Sequence, residues 1–259
     1  MDRPGRKLLA VRVEPPTATL GLVVVLAACG AQGNAASSPP GHAADGSVTV
    51  APTCTVTPTV HTGQGTYYTF ADGSGNCMFP ATPNDLDIGA MNHVDYAASA
   101  ACGMCAHVIG AKGELTIRIV DQCPECPAGN IDFSPSAFAK LDDIAKGRIP
   151  ITWQYVACAV TGPIVYHFKD GSSQWWTAVQ IRNHRYGIAK LEFVDDAGAW
   201  VEVPRVDYNY FVADAGMGPG PYTFRVTDVN GAELVDTGVP FVENGDSVGT
   251  NQFPACSAP

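Results

Sequence analysis

Basic side chains are scarce in this chain. Lys and Arg number 15 against 25 Asp and Glu, giving a formal net charge of -10 over 259 residues. So acidic a surface repels phosphate backbones and anionic headgroups, which excludes nucleic acid and anionic lipid as electrostatic partners. It is compatible with a neutral polysaccharide and predicts weaker attraction to acidic polymers. Charge of either sign is also sparse, at 15% of residues, while Gly and Pro number 27 and 20. With many Thr and Val, that composition points to a β-rich exported protein, not a helical one. The length suits two modest domains once a leader is removed. No internal repeat stands out.

Long hydrophobic runs are missing too. The apolar stretch from Thr17 to Ala28 is too short to span a bilayer. It follows a basic start and reads as a signal peptide over residues 1–28. Arg3, Arg6, Lys7 and Arg12 stand there against Asp2 and Glu14, so its removal leaves the rest two charges more negative. The run ends in Leu26-Ala27-Ala28-Cys29-Gly30, which resembles the bacterial lipobox and marks Cys29 for lipidation. An ordinary signal peptide with Ala-x-Ala-like cleavage nearby is the alternative. Residues 29–53 read as a flexible linker: from Ala31 to Pro52 there is no aromatic residue, and Ala, Ser, Gly and Pro abound.

Eight cysteines follow Cys29: Cys54, Cys77, Cys102, Cys105, Cys123, Cys126, Cys158 and Cys256. An even number in an exported chain implies a disulfide framework. Cys102-Gly-Met-Cys105 and Cys123-Pro-Glu-Cys126 also fit zinc-ribbon spacing, but export and the four remaining cysteines favour disulfides. No metal and no cofactor is expected. His107 and His184 lack a surrounding ligand set and read as structural.

Short β-like runs at Thr66–Phe70, Ala106–Ile109, Leu115–Asp121 and Ile149–Val156 alternate with turns. One helix is signalled by Ser134 as cap and Pro135 in the first turn, with Phe138, Leu141, Ile144 and Ala145 at helical spacing. Thr161-Gly162-Pro163 breaks the pattern and separates a domain at residues 54–160 from one at 161–259. The second contains only strands: Val165–Lys169, Trp175–Arg182, Lys190–Val194, Trp200–Val203, Thr223–Asp228 and a final pair near Leu234 and Phe241. That spacing, with turn signals such as Asn230-Gly231, suggests an immunoglobulin-like β-sandwich.

Two features carry chemistry. Asp121 ends an apolar strand and Asp132 lies beyond a Cys/Pro/Gly-rich loop; paired carboxylates at strand ends are the raw material of a glycosidase. Trp175 and Trp176 are adjacent, and on a strand one of them would face the core and the other solvent. An exposed indole is a platform for the apolar face of a sugar ring.

These segments resemble the bacterial expansins. Gly65-Thr66-Tyr67-Tyr68, Ile119-Val120-Asp121 and Asn130-Ile131-Asp132-Phe133-Ser134-Pro135-Ser136-Ala137-Phe138 follow the family's barrel motifs in order. The run from Gly171 to Phe193 is similar to its second domain, and the resemblance spans about residues 60 to 250. It implies an all-β fold: an N-terminal six-stranded double-psi β-barrel with a short helix, followed by the sandwich.

Expansin barrels are related to family 45 glycoside hydrolases, and Asp132 matches the hydrolase proton donor. The matching first-strand segment Gly65-Thr66-Tyr67 lacks the acid that would serve as base, and Asp72 is too far along. Thr66, Tyr67 and Asp121 match groove positions. Cys123 stands where bacterial expansins often have a Tyr. Trp175, Trp176 and, after one inserted residue near Ala197, Tyr208 match the family's cellulose-binding aromatics, with Lys169 beside them. The implied pairings are Cys77 with Cys102 and Cys105 with Cys158. Cys256 then takes a first-domain partner, for which Cys54 is the candidate, while Cys123 and Cys126 stay in the framework without assigned partners.

The expected function is non-hydrolytic loosening of plant cell wall by an exported monomer that binds cellulose and associated wall glucans. A membrane enters only through the lipid anchor. An endoglucanase or lytic transglycosylase on the same barrel, and a pure adhesion module, are the alternatives.

Overall fold

The computed structural model describes residues 59–69 and 71–255. The leader, Cys29, the linker, Cys54 and Cys256 lie outside the described residues. Six strands close a barrel: β1 (His61–Tyr67), β2 (Ile88–Asn92), β3 (Cys105–Ile109), β4 (Glu114–Cys123), β5 (Ile131–Phe133) and β6 (Ile149–Val156). Their order around it is β1-β5-β2-β4-β3-β6. The β1–β5 and β2–β4 pairs are parallel and the other four antiparallel. Ile117 and Ile119 of β4, Ile131 and Phe133 of β5, and Ile149, Ile151 and Trp153 of β6 fill the interior by strict alternation. The Trp153 indole N–H donates to the Gly129 carbonyl at 2.8 Å, so burial leaves no orphan donor there.

Two short helices attach to this barrel, α1 (His93–Tyr96) and α2 (Pro135–Leu141). The Ser134 hydroxyl caps α2 by accepting from the Ala137 N–H at 3.0 Å, and Phe138 and Leu141 are buried against the barrel. Helical spacing predicted a continuation through Ile144. The helix instead stops at Leu141, because Asp142 is extended and its buried carboxylate takes the Lys146 ammonium at 2.6 Å. A single 3-10 turn, Ile144–Lys146, follows and leaves Ile144 in solvent.

Disulfides join Cys77 to Cys102 and Cys105 to Cys158, the pairings that the family resemblance implied, and Cys123 to Cys126. The first CxxC pair is thereby spent on outside partners, so the four thiols do not converge as zinc ligands.

The remaining strands form two four-stranded sheets. One is ordered β10 (Trp200–Val203), β9 (Ile188–Val194), β12 (Tyr222–Asp228), β13 (Glu233–Val239). The other is ordered β11 (Phe211–Ala213), β8 (Thr177–Arg182), β7 (Val165–Phe168), β14 (Asp246–Val248). Tyr166, Phe168, Val179, Ile181, Leu191, Phe224 and Val226 meet between them in a core distinct from that of the barrel. In these two sheets three strands depart from the sequence reading. β8 begins at Thr177, so both tryptophans precede it; β11 was not expected; and the last strand is β14, not a run at Phe241.

Candidate functional site

The barrel groove is built by register. On β1, Gly65 and Tyr67 point inward: a Cβ on Gly65 would lie 2.8 Å from the Phe133 ring, and Tyr67 packs edge-on against Phe138 at 5.1 Å. The next positions along, Thr66 and Tyr68, therefore face the other way. Tyr67, the residue expected to line the groove, is partly buried and packs on the barrel core, while Tyr68 follows on the opposite parity.

Across the sheet, Thr66 is in register with Asp132 of β5, Asp132 with Ala90 of β2, and Ala90 with Asp121 of β4. Asp121 would share the inward face of Ile117 and Ile119 were the strand regular. The register skips one residue there, with Gly89 opposite Ile119 and Ala90 opposite Asp121. Val120 is the extra residue, turned into the core, and the bulge re-aims Asp121 onto the face of Asp132. Thr66, Asp132 and Asp121 thus occupy one wall. The two acids are separated by β2, about 9.5 Å apart at the backbone from two strand spacings.

Each group in this row has a physical role in holding it. The Thr66 hydroxyl donates a hydrogen bond to Asp132. One Asp121 oxygen accepts from the backbone N–H groups of Asn76 at 2.7 Å and Gln122 at 2.8 Å. Burial raises the Asp132 pKa above the ordinary carboxylate range; the Thr66 bond opposes this, and Glu125 adds to it. Desolvation together with Asp121, Asp132 and Asp72 also raises the Tyr68 phenol, which stays neutral. Among the described residues the Tyr68 hydroxyl is buried with no hydrogen-bond partner.

The Asp132 shift makes a signed prediction. A carboxyl whose folded pKa lies above its unfolded value favours folding fully only below the unfolded pKa, and loses that contribution as pH rises through the folded one. At neutral pH the ionised Asp132 is therefore a small destabilising element. Asp132→Asn should melt roughly 2 °C higher than wild type at pH 7, a modest figure because the carboxyl is half-exposed. The gain should vanish near pH 3 in thermal scans; a gain independent of pH would contradict the burial account.

The second surface lies on the outer side of β8 and β11. Trp175 is 72% exposed in the turn before β8, where the Ser173 N–H donates to the Trp176 carbonyl at 2.7 Å. Trp176 is half-buried over Ala178, Tyr210 and Val212, a cluster that Tyr208 and Val206 also cover. Trp176 and Tyr208 are thus brought together, with Trp175 projecting beside them. The Lys169 backbone bonds the Ala178 carbonyl at 2.9 Å, placing it at the base of this turn.

The turn leans on Gly216. Its φ is +76°, and a Cβ there would lie 2.0 Å from the Gln174 carbonyl oxygen. Gly216→Ala should push the Trp175 turn out of place, lowering stability by about 1–3 kcal/mol and weakening glucan binding several-fold. Calorimetry and a binding isotherm on the same preparation check both effects.

His184 is buried, bonded to the Tyr186 carbonyl at 2.7 Å, and burial lowers its pKa to about 4, so it is a neutral structural group. His107 lies 3.5 Å from Glu114.

A double-psi barrel with an acid-lined groove, joined to a sandwich bearing surface tryptophans, defines a class of two-part polysaccharide-surface proteins. A barrel family model described as lytic transglycolase matches residues 61–153. The chain is 36% identical over 204 residues to Expansin-YoaJ of Bacillus subtilis, covering 75% of this chain and 87% of that one. Expansin-like protein 2 of Dictyostelium discoideum is 32% identical over 171 residues, 62% of this chain and 42% of that one. The crystal structure of the apo Clavibacter michiganensis expansin superposes with a TM-score of 0.71 at 30% identity, over 77% of this chain and all of that one. A mutant of that expansin in complex with cellohexaose matches equally well. The chain belongs to the expansin family.

Proposed function

We propose that this protein binds cellulose and associated plant cell-wall glucans and loosens their non-covalent contacts without hydrolysis. The observation that carries the reading is the wall around Asp132. Its β1 neighbour is Thr66, and β1 holds no acidic residue at all. Asp121 lies on the same wall, beyond β2. An inverting glycosidase needs its base on the ring face opposite the acid. Losing that base removes roughly 10²–10⁴ in rate. What remains is a shelf that grips a glucan through Asp132, Thr66 and Asp121, while Trp175, Trp176 and Tyr208 hold the polymer surface. The match to a Clavibacter expansin, a mutant of which was solved with cellohexaose, supports a cellulose-like ligand. On this reading the protein is exported and acts as a monomer without a cofactor.

The family model over residues 61–153 favours a second reading, lytic transglycosylation, in which the sugar's own hydroxyl displaces the leaving group and a single acid suffices. The raised pKa of Asp132 would suit that acid. Incubation with peptidoglycan and with soluble β-glucan, followed by assay of released fragments, separates the two. The loosening reading expects no release from either; anhydro-muropeptides from peptidoglycan would establish the second.

A further inference from the structure

The groove and the aromatic strip meet at Asn76, a residue that neither surface contains. Gly75 before it passes so close to Asp121 that a Cβ would lie 2.5 Å from the carboxyl carbon. That approach lets the Asn76 N–H reach Asp121 at 2.7 Å. Cys77 after it bonds the Val120 carbonyl at 3.1 Å and is tied to Cys102 by a disulfide. The backbone of Asn76 is therefore pinned to the bulge that aims Asp121.

Its side chain faces the sandwich. The Asn76 amide donates to the Asp207 carbonyl at 2.9 Å and to the Tyr96 hydroxyl at 2.8 Å, and that hydroxyl donates to the same carbonyl at 3.1 Å. Ser99 donates to the Val206 carbonyl at 2.7 Å. The Cys77 carbonyl accepts from Gln180 at 2.9 Å and Asn209 at 3.1 Å. The bonds to the Asp207 and Val206 carbonyls and the one from Asn209 converge on Val206–Asn209, the turn that presents Tyr208. One residue thus links the two surfaces, its backbone N–H holding a groove acid and its side-chain amide holding the turn of a strip aromatic.

We propose that Asn76 is a positioning residue that locks the groove and the aromatic strip into a single glucan-binding surface, so that a chain long enough to reach both binds more tightly than one that reaches the strip alone. The inference rests on the proposed function and deepens it. Two sites held rigidly act on one ligand at high effective concentration, and a loosened junction loses that gain without any contact to the ligand being removed.

The test compares a short probe, cellotetraose, with a long one, barley β-glucan, by calorimetry on the full chain. Asn76→Ala should bind cellotetraose as wild type does and barley glucan about tenfold more weakly. Tyr96→Phe keeps the buried ring and removes the second strut, and it should show the same length-selective loss. It carries the test should Asn76→Ala not fold. Equal losses on both probes, or none on either, would overturn the inference while leaving the proposed function standing. If wild type itself binds the long probe no more tightly than the short one, groove and strip do not act together, and both readings fall.

Discussion

Replacing Trp175 and Trp176 together with Ala is expected to remove most binding to microcrystalline cellulose while the protein stays folded. Trp175 already stands 72% in solvent, so its ring contributes little to the folded state and much to any flat apolar surface laid on it. Trp176 is half-buried over Ala178, Tyr210 and Val212, so its loss also thins that small cluster and should lower the melting temperature by a few degrees. Each stacked ring is worth about 1–3 kcal/mol by analogy with base stacking, which puts the double variant on the order of 10²-fold or more below wild type. Trp175→Ala alone should show the binding loss without the thermal one. Unchanged pull-down by the double variant would mean that the strip is not the cellulose contact.

Asp132→Asn carries the second large effect. It should abolish wall extension while binding to cellulose through the strip persists, because the two surfaces lie on different sheets with different cores. Asn keeps the size of the carboxylate and an oxygen to accept from Thr66, but it cannot ionise or release a proton. The raised pKa of Asp132 predicts more of its neutral form, and with it a changed grip on glucan hydroxyls, as pH falls. Extension by wild type should therefore change as pH falls through the titration of Asp132, and no such change should remain in Asp132→Asn. Normal extension by the variant would reduce Asp132 to a neighbour of the α2 cap.

Much of this was legible from residue order, and the exceptions have local causes. Ser134-Pro135 announced α2 because capping and fixed φ act over a few residues. Its end was not legible, since Asp142 leaves the helix for Lys146, a preference that side-chain pairing decides. β2 reads Ile-Gly-Ala-Met-Asn and is buried at all five positions, so neither alternation nor branched residues mark it. The choice between Tyr67 and Tyr68 turned on which parity of β1 faces inward, and Gly65 against Phe133 settles that only in three dimensions. Asp121 is the converse. Its place beside Asp132 was expected from resemblance, yet a regular strand would have buried it, and the bulge at Val120 exists only in pairing with β2. Asn76 carried no sequence signal, since its partners lie 20 to 131 positions away.

This surface is expected to move wall polymers without cutting them, and one measurement tests that directly. Creep of a heat-inactivated plant wall under constant load and reducing sugar released into the bath should be recorded on the same sample. The account predicts creep above buffer control with sugar release indistinguishable from it, and loss of creep in Asp132→Asn. Sugar release that rises with creep and disappears in the same variant would contradict it and make the barrel a glycosidase.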